Sequence, residues 1–368
     1  MSSGTVVVHV SRPPGFLDRH EGRTLCSVAR SIARLKGFDY ADPADGVCLY
    51  AGSLFFVPDD TLLRGKADVL GVRAEKDLYG GIVPYPFVQT KAISHGLVDC
   101  AAARPEGWSV AFAERIEGVV LPGFTAFTRD DARRAARRLL KQGAIRAKRP
   151  RAAGGNGQRT LLSMSEVEAL LAELDDGDLA ADGLVLELHL DGVTTLSLGR
   201  VTLDDTTIAY HGRQRMTRDN LGHCVYGGSD LTCVRGGWTA LEASPLEAAV
   251  RTAVQQARVY DEAMGEYGVV ASRRNYDVGQ GVDTAGHRRS GVFEASWRVG
   301  GATPAEIAAL DAFVHDPSID AVRASSVEVY GADAVPPAGA VVHFYGVDRD
   351  AGPLVRYSLL HEASRDAA

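Results

Sequence analysis

Ala144-Ile145-Arg146-Ala147-Lys148-Arg149-Pro150, followed by Arg151-Ala152-Ala153-Gly154-Gly155-Asn156-Gly157-Gln158, is the stretch on which the reading of this chain turns. Its first half predicts a short strand with a lysine near the end. Its second half is a glycine-rich loop, and Gln158-Arg159-Thr160-Leu161-Leu162 resumes a strand. Glycines allow positive φ and let backbone approach a ligand with no Cβ in the way. Successive free N–H groups in such a turn form an anion-binding concavity, and Lys148 adds a point charge at its edge. The pattern predicts a lid over phosphates, although a plain turn between two strands explains the loop taken by itself.

Working outward, Thr128-x-x-Asp131 predicts a helix N-terminus, with Ala132, Ala135, Ala136, Leu139 and Leu140 as its buried stripe. Ser165-x-x-Glu168 predicts a second capped helix, running through Leu174. Leu184-Val-Leu-Glu-Leu-His-Leu190 reads as an apolar strand with Glu187 at its centre. Residues 128–190 are thus expected as helix, strand, glycine loop, strand, helix, strand. Ahead of them, the β-branched run Thr5–Val10, a helical pattern over Leu25–Leu35 closed by Gly37, and strands at Val47–Tyr50 and Leu54–Val57 predict a small α/β unit. It carries no G-x-G-x-x-G, so dinucleotide binding has no support there. Further on, strands are expected at Thr194–Leu203 and Thr207–His211, then a polar, basic loop over Gly212–Asn220. Helices are expected to open at Ser244-Pro245-x-Glu247 and at Thr303-Pro304-x-Glu306. Three strands fill the tail.

Composition narrows the class. The chain has 368 residues, 45% hydrophobic and 24% charged, which fits two or three globular domains. A net charge of −7 argues against a general nucleic-acid binder, whose affinity rests on neutralising phosphates. No apolar run is long enough to span a bilayer, and no signal peptide is expected. The five cysteines form no C-x-x-C pair, so their scatter suggests a cytoplasmic setting and no zinc site.

The late pair Arg274-Asn-Tyr-Asp277-Val and Gly291-Val-Phe-Glu294-Ala-Ser296-Trp-Arg298 flanks a polar turn, Asp283–His287. If that turn centres between Ala285 and Gly286, Asp277 lies across from Glu294, with Cβ atoms about 5 Å apart. Two carboxylates that close repel each other unless a cation sits between them. Mg²⁺ takes oxygen ligands and is usually held by one or two carboxylates plus substrate phosphates. Ser296 and Arg298 continue the same face. A solvent-facing strand edge explains such polar alternation equally well on this piece alone. Arg213 and Arg215 are candidates to clamp a phosphate or a substrate carboxylate, guanidinium being suited to bidentate anion binding.

In this order the residues resemble the ATP-grasp superfamily over roughly residues 80–312. The resemblance implies an α/β and α+β protein: an ATP-grasp fold with two α+β lobes, preceded by a small α/β domain. It divides the chain at 1–88, 89–190, 191–315 and a β-rich extension, 316–368. It also implies use of ATP with Mg²⁺ or Mn²⁺ to join a carboxylate to an amine or similar nucleophile through an acyl phosphate. Partners would be small-molecule acids and amines, with neither nucleic acid nor membrane; a homodimer is compatible. Lys91 is similar to the first family lysine and Lys148 to the second, while Gly154, Gly155, Asn156 and Gly157 resemble the phosphate loop. Glu187 looks like the hinge glutamate, with Leu188 and Leu190 at the adenine backbone contacts. Asp277, Glu294 and Ser296 resemble the metal-binding positions, and Arg298 matches the arginine that follows. Two differences stand out: Ser296 occupies a position where the family usually has Asn, and no glutamate follows Gly192 to meet a ribose. A nucleotide-binding module without ligation and a biotin-carboxylase-like carboxylation are the alternatives.

Overall fold

In the computed structural model, residues 4–43, 52–152 and 157–364 are described, with 362–364 in backbone alone. The N-terminal β-branched run forms strand Gly4–His9, which pairs in parallel with Asp39–Ala41 and Ser53–Pro58. Parallel neighbours need a crossover, supplied here by helix His20–Lys36. Leu25, Val28, Ala29 and Ile32 bury its inner face, and Gly37 ends it at φ 64°. The strand expected at Val47–Tyr50 lies outside the described residues.

A second sheet runs in the order Gly123–Ala126, Leu184–Leu188, Ile145–Lys148, Gln158–Leu161, all antiparallel. Helices Arg129–Leu139 and Met164–Ala172 cover one face with the alanine and leucine stripe read from the sequence. Strand alternation leaves Arg146, Lys148 and Glu187 on the other face. Thr128 caps the first helix as expected, its Oγ1 accepting from Asp131 N at 3.1 Å. The second is capped by Ser163, not Ser165, and Glu166 rather than Glu168 returns to the backbone, at Leu162 N. Glu168 instead pairs with Arg133.

The third sheet has eight strands, in the order Arg288–Ser296, Arg273–Val282, Asp191–Leu203, Thr206–Arg218, Cys224–Arg235, Ala321–Tyr330, Gly352–Ser364, Val341–Asp348. Residues after 316 therefore continue this sheet. Most of the polar segment expected as a loop, Gly212–Arg218, is strand, paired with Cys224–Arg235. Its polar side chains reflect exposure of one sheet face, not absence of structure. The helix expected from Ser244 starts instead at Ala248, after a short helix over Trp238–Ala243.

Glu306 was expected as a capping residue of helix Thr303–His315, but it is a buried centre of charge. Its carboxylate accepts from Arg273 Nη2 at 2.7 Å and Nε at 3.0 Å, and from Tyr210 and Tyr79 at 2.6 and 2.7 Å. These four residues tie the helix to two strands of the large sheet and to the segment leaving the N-terminal unit. No side chain among the described residues caps this helix; Thr303, its first residue, accepts from Gly300 N in the turn before it.

Candidate active site

Besides a small sheet of Leu62–Leu63, Gly81–Val83 and Val270–Ala271, these three sheets surround a cleft of about 630 Å³. Lys148 reaches it from the end of its strand. Its Nζ stands 2.5 Å from Glu187 Oε1 and 4.2 Å from the centroid of the Phe293 ring. The other Glu187 oxygen faces His95 Nε2 at 3.0 Å. Burial pushes the Glu187 carboxyl up, but Lys148 and His95 more than offset this and hold it below the usual glutamate range. Lys148 is thus held twice, by the buried Glu187 carboxylate and by the quadrupole of the Phe293 ring.

Phe293 reaches Lys148 because of an irregularity. Asp277 pairs with Glu294 while Val278 pairs with Val292, which leaves Phe293 as the extra residue of a β-bulge. Asp277 thus faces Glu294 as the sequence predicts, by way of the bulge. The Phe293 ring lies over Gly279, where an added Cβ would stand 1.9 Å from the ring. We expect Gly279→Ala to push the ring off Lys148, to cost about 1–3 kcal/mol by overpacking, and to weaken nucleotide binding. An unchanged denaturation midpoint would contradict this packing.

Asp277 is embedded in donors: Ser197 Oγ at 3.0 Å and Asn275 Nδ2 at 3.1 Å, with Gln214 Nε2 donating to Ser197 at 3.0 Å. Burial and the Glu294 charge nevertheless hold its carboxyl above the usual range. Glu294 is paired with Lys91, Nζ to Oε2 at 2.9 Å, and Lys91 also donates to Ala152 O beside the glycine loop. The expectation that only a divalent cation offsets the carboxylate pair is thus corrected: Lys91 supplies part of that charge. Among the described residues no group of three or more His, Cys, Asp or Glu gathers to hold a metal. Two carboxylates with a raised Asp277 fit an ion that arrives with phosphates better than one caged by protein.

Ser296 and Arg298 line the cleft; Arg298 donates to Val299 O at 3.2 Å and stands 3.8 Å from Asp60. Arg213 and Arg215 do not line it. They alternate with the cleft-lining Gln214 and Met216, and pair with Glu247 and Asp230 at 3.4 and 3.0 Å. Leu188 and Leu190 are buried apolar residues. Gly154, Gly155 and Asn156 lie outside the described residues, while Gly157 has φ 64° and accepts from Arg149 N. Sequence reasoning missed Phe293, Ser197, Gln214 and Asn275, and it weighed His95 only as an acid–base candidate. Alternation flanking Asp277 could have flagged Asn275, but no local signal marks the others.

The lysine strand and the facing carboxylate hairpin, set between these sheets, fit the ATP-grasp fold of the solved structures that it matches, and this chain has that fold. The chain belongs to the family described as "Protein of unknown function (DUF3182)", whose model matches residues 7–358. No curated protein matches it in sequence. Among solved structures it is similar to N5-carboxyaminoimidazole synthetase from Staphylococcus aureus, at 11% identity and TM-score 0.53, over 98% of this chain and 93% of that one. It is also similar to the biotin carboxylase domain of the Hydrogenobacter thermophilus 2-oxoglutarate carboxylase, solved with MgADP, ADP and bicarbonate. That match has 12% identity and TM-score 0.52, over 97% of this chain and 86% of that one. A third is N5-carboxyaminoimidazole synthase from Aspergillus clavatus with ADP and 5-aminoimidazole ribonucleotide. It has 11% identity and TM-score 0.50, over 98% and 94%. Among the described residues no helix is long and apolar enough to cross a membrane.

Proposed function

We propose that the protein is an ATP- and Mg²⁺-dependent ligase that joins a carboxylate to an amine or similar nucleophile. The observation that carries this reading is the convergence of Lys148, Lys91 and the Asp277–Glu294 pair on one cleft. The nucleotide-bound neighbours support it. Lys148 and the glycine loop would hold the phosphates, with Glu187 and the backbone through Leu190 as the hinge. A magnesium ion brought with ATP would be held by Asp277 and Glu294, beside Ser296, and would neutralise phosphate charge. The substrate carboxylate attacks the γ-phosphorus, ADP leaves, and an acyl phosphate forms. The amine then attacks the acyl carbon and phosphate leaves. Such chemistry rests on positioning and charge neutralisation more than on a base. Arg298, which lines the cleft and has no close carboxylate partner among the described residues, would take an anionic oxygen of the acid or the acyl phosphate.

The test is release of ADP and phosphate from purified protein with MgATP and pooled acids and amines. We expect release that needs both an acid and a nucleophile and is lost in Asp277→Asn. Binding of MgATP with no release in any pool would favour the nucleotide-binding module, which Ser296 in the Asn position also motivates.

Glu294→Gln carries a pH signature. The raised Asp277 carboxyl favours the fold most below the unfolded value near 4, and that contribution is lost as pH rises through the folded value. Removing the neighbouring charge lessens the loss, while Lys91 gives up an ion pair but keeps the Ala152 carbonyl. We therefore expect the metal-free melting temperature near pH 7 to change little, and the Mg²⁺-dependent part of the ATP-induced rise to disappear. A loss of about 3 kcal/mol or more without metal would make Glu294 a structural partner of Lys91.

A further inference from the structure

The C-terminal strands reach the same cleft. Strand Ala321–Tyr330 presents Glu328 and strand Gly352–Ser364 presents Arg356, directly across from it. Both side chains line the cleft, and the residues are only 7% and 5% exposed. Arg356 Nε stands 3.1 Å from Glu328 Oε1, but off line, so that Nε makes no hydrogen bond. Among the described residues, neither Nη group donates to the protein. A guanidinium has five donors; here only Nε is enclosed without a partner, and the Nη groups are left to the cleft. The end-on fork of the two Nη groups matches the two oxygens of a carboxylate or phosphate.

Position adds a length. Arg356 lies five strand spacings from Asp277 in the large sheet, on the order of 24 Å along the sheet at about 4.8 Å each, and less across its twist. Tyr226 bridges the interval: burial pushes its phenol up, and it senses Arg356, Glu328 and Asp277 together. We infer that Arg356 anchors an oxyanion, carboxylate or phosphate monoester, at the end of an elongated acceptor remote from its reacting nucleophile. The word acceptor rests on the ligase reading; the anion site does not. Glu328 beside it holds the fork in place and brings the local charge near zero, which keeps free polyphosphate from competing for the subsite.

The test uses the full chain, with glycylglycine and ribose 5-phosphate as probes and MgATP measured in parallel, by melting temperature and calorimetry. We expect at least one probe to bind, glycylglycine if the anion is a carboxylate and ribose 5-phosphate if it is a phosphate. Arg356→Lys keeps the charge but loses the fork and should bind about tenfold more weakly. Because Arg356→Gln alone strands Glu328, the double variant Arg356→Gln, Glu328→Gln removes both charges; it should fold, keep the MgATP-induced rise and lose the probe. Failure of both probes on the wild type, or unchanged binding by the double variant, overturns the inference. Loss of the MgATP response with probe binding intact would instead overturn the ligase reading and leave the anion site standing.

Discussion

Lys148→Met should abolish measurable MgATP binding and destabilise the protein by about 3–5 kcal/mol, the cost of breaking a buried ion pair from one side. Glu187, only 1% exposed, would keep the hydrogen bond to His95 among the described residues, which places the loss toward the lower end. The deficit has a defined pH dependence. The Glu187 carboxyl is held below its ordinary value in the fold, so its contribution is present above the unfolded value of about 4.3 and fades as pH falls through the folded value. The gap between wild type and variant should therefore be widest near neutrality and narrow toward pH 4. Urea titrations at the two pH values measure it. A variant as stable as wild type at pH 7 would mean that Lys148 does not neutralise Glu187.

The second large effect lies beside the cleft. Glu306→Ala should cost about 3–5 kcal/mol, because Arg273, buried at 2% exposure, loses its only counter-ion among the described residues. Tyr79 loses its carboxylate acceptor at the same time, and Tyr210 is left, among the described residues, with Asn275 Oδ1 alone. Arg273 opens the strand that carries Asn275 and Asp277, so the variant should also bind MgATP more weakly through a loosened carboxylate strand. Glu306→Gln keeps acceptors for the tyrosines and should recover part of the loss. A Glu306→Ala midpoint within about 1 kcal/mol of wild type would contradict the cluster's structural role.

The sequence made legible those features that local chemistry dictates. The alanine stripe after Thr128 and the strand around Glu187 follow from periodicity and capping, and the structure has both; Asp277 faces Glu294 as expected, but through a bulge and not through turn symmetry. What escaped depends on distant neighbours. Ser165 and Ser163 are equally good caps in composition, and packing of the helix selects the second. Glu306 satisfies a capping pattern, but the arginine that claims its carboxylate comes 33 residues earlier. Gly212–Arg218 is polar because it lies in a half-exposed sheet, and polarity alone reads as loop. Phe293 reaches Lys148 only through a bulge, which no residue pattern announces. The C-terminal strands read as an extension because nothing in their composition says that they pair with Cys224–Arg235 and bring Arg356 to the cleft.

The central claim is that the cleft between the lysine strand and the carboxylate hairpin binds ATP with a divalent ion. A calorimetric titration of ATP into the intact protein, with and without Mg²⁺, tests it most directly. The expected result is saturable binding that tightens with Mg²⁺, with a rise in stability of about 2.7 kcal/mol at a ligand concentration one hundred times Kd. Absence of heat at millimolar MgATP, together with an unmoved melting temperature, would contradict it.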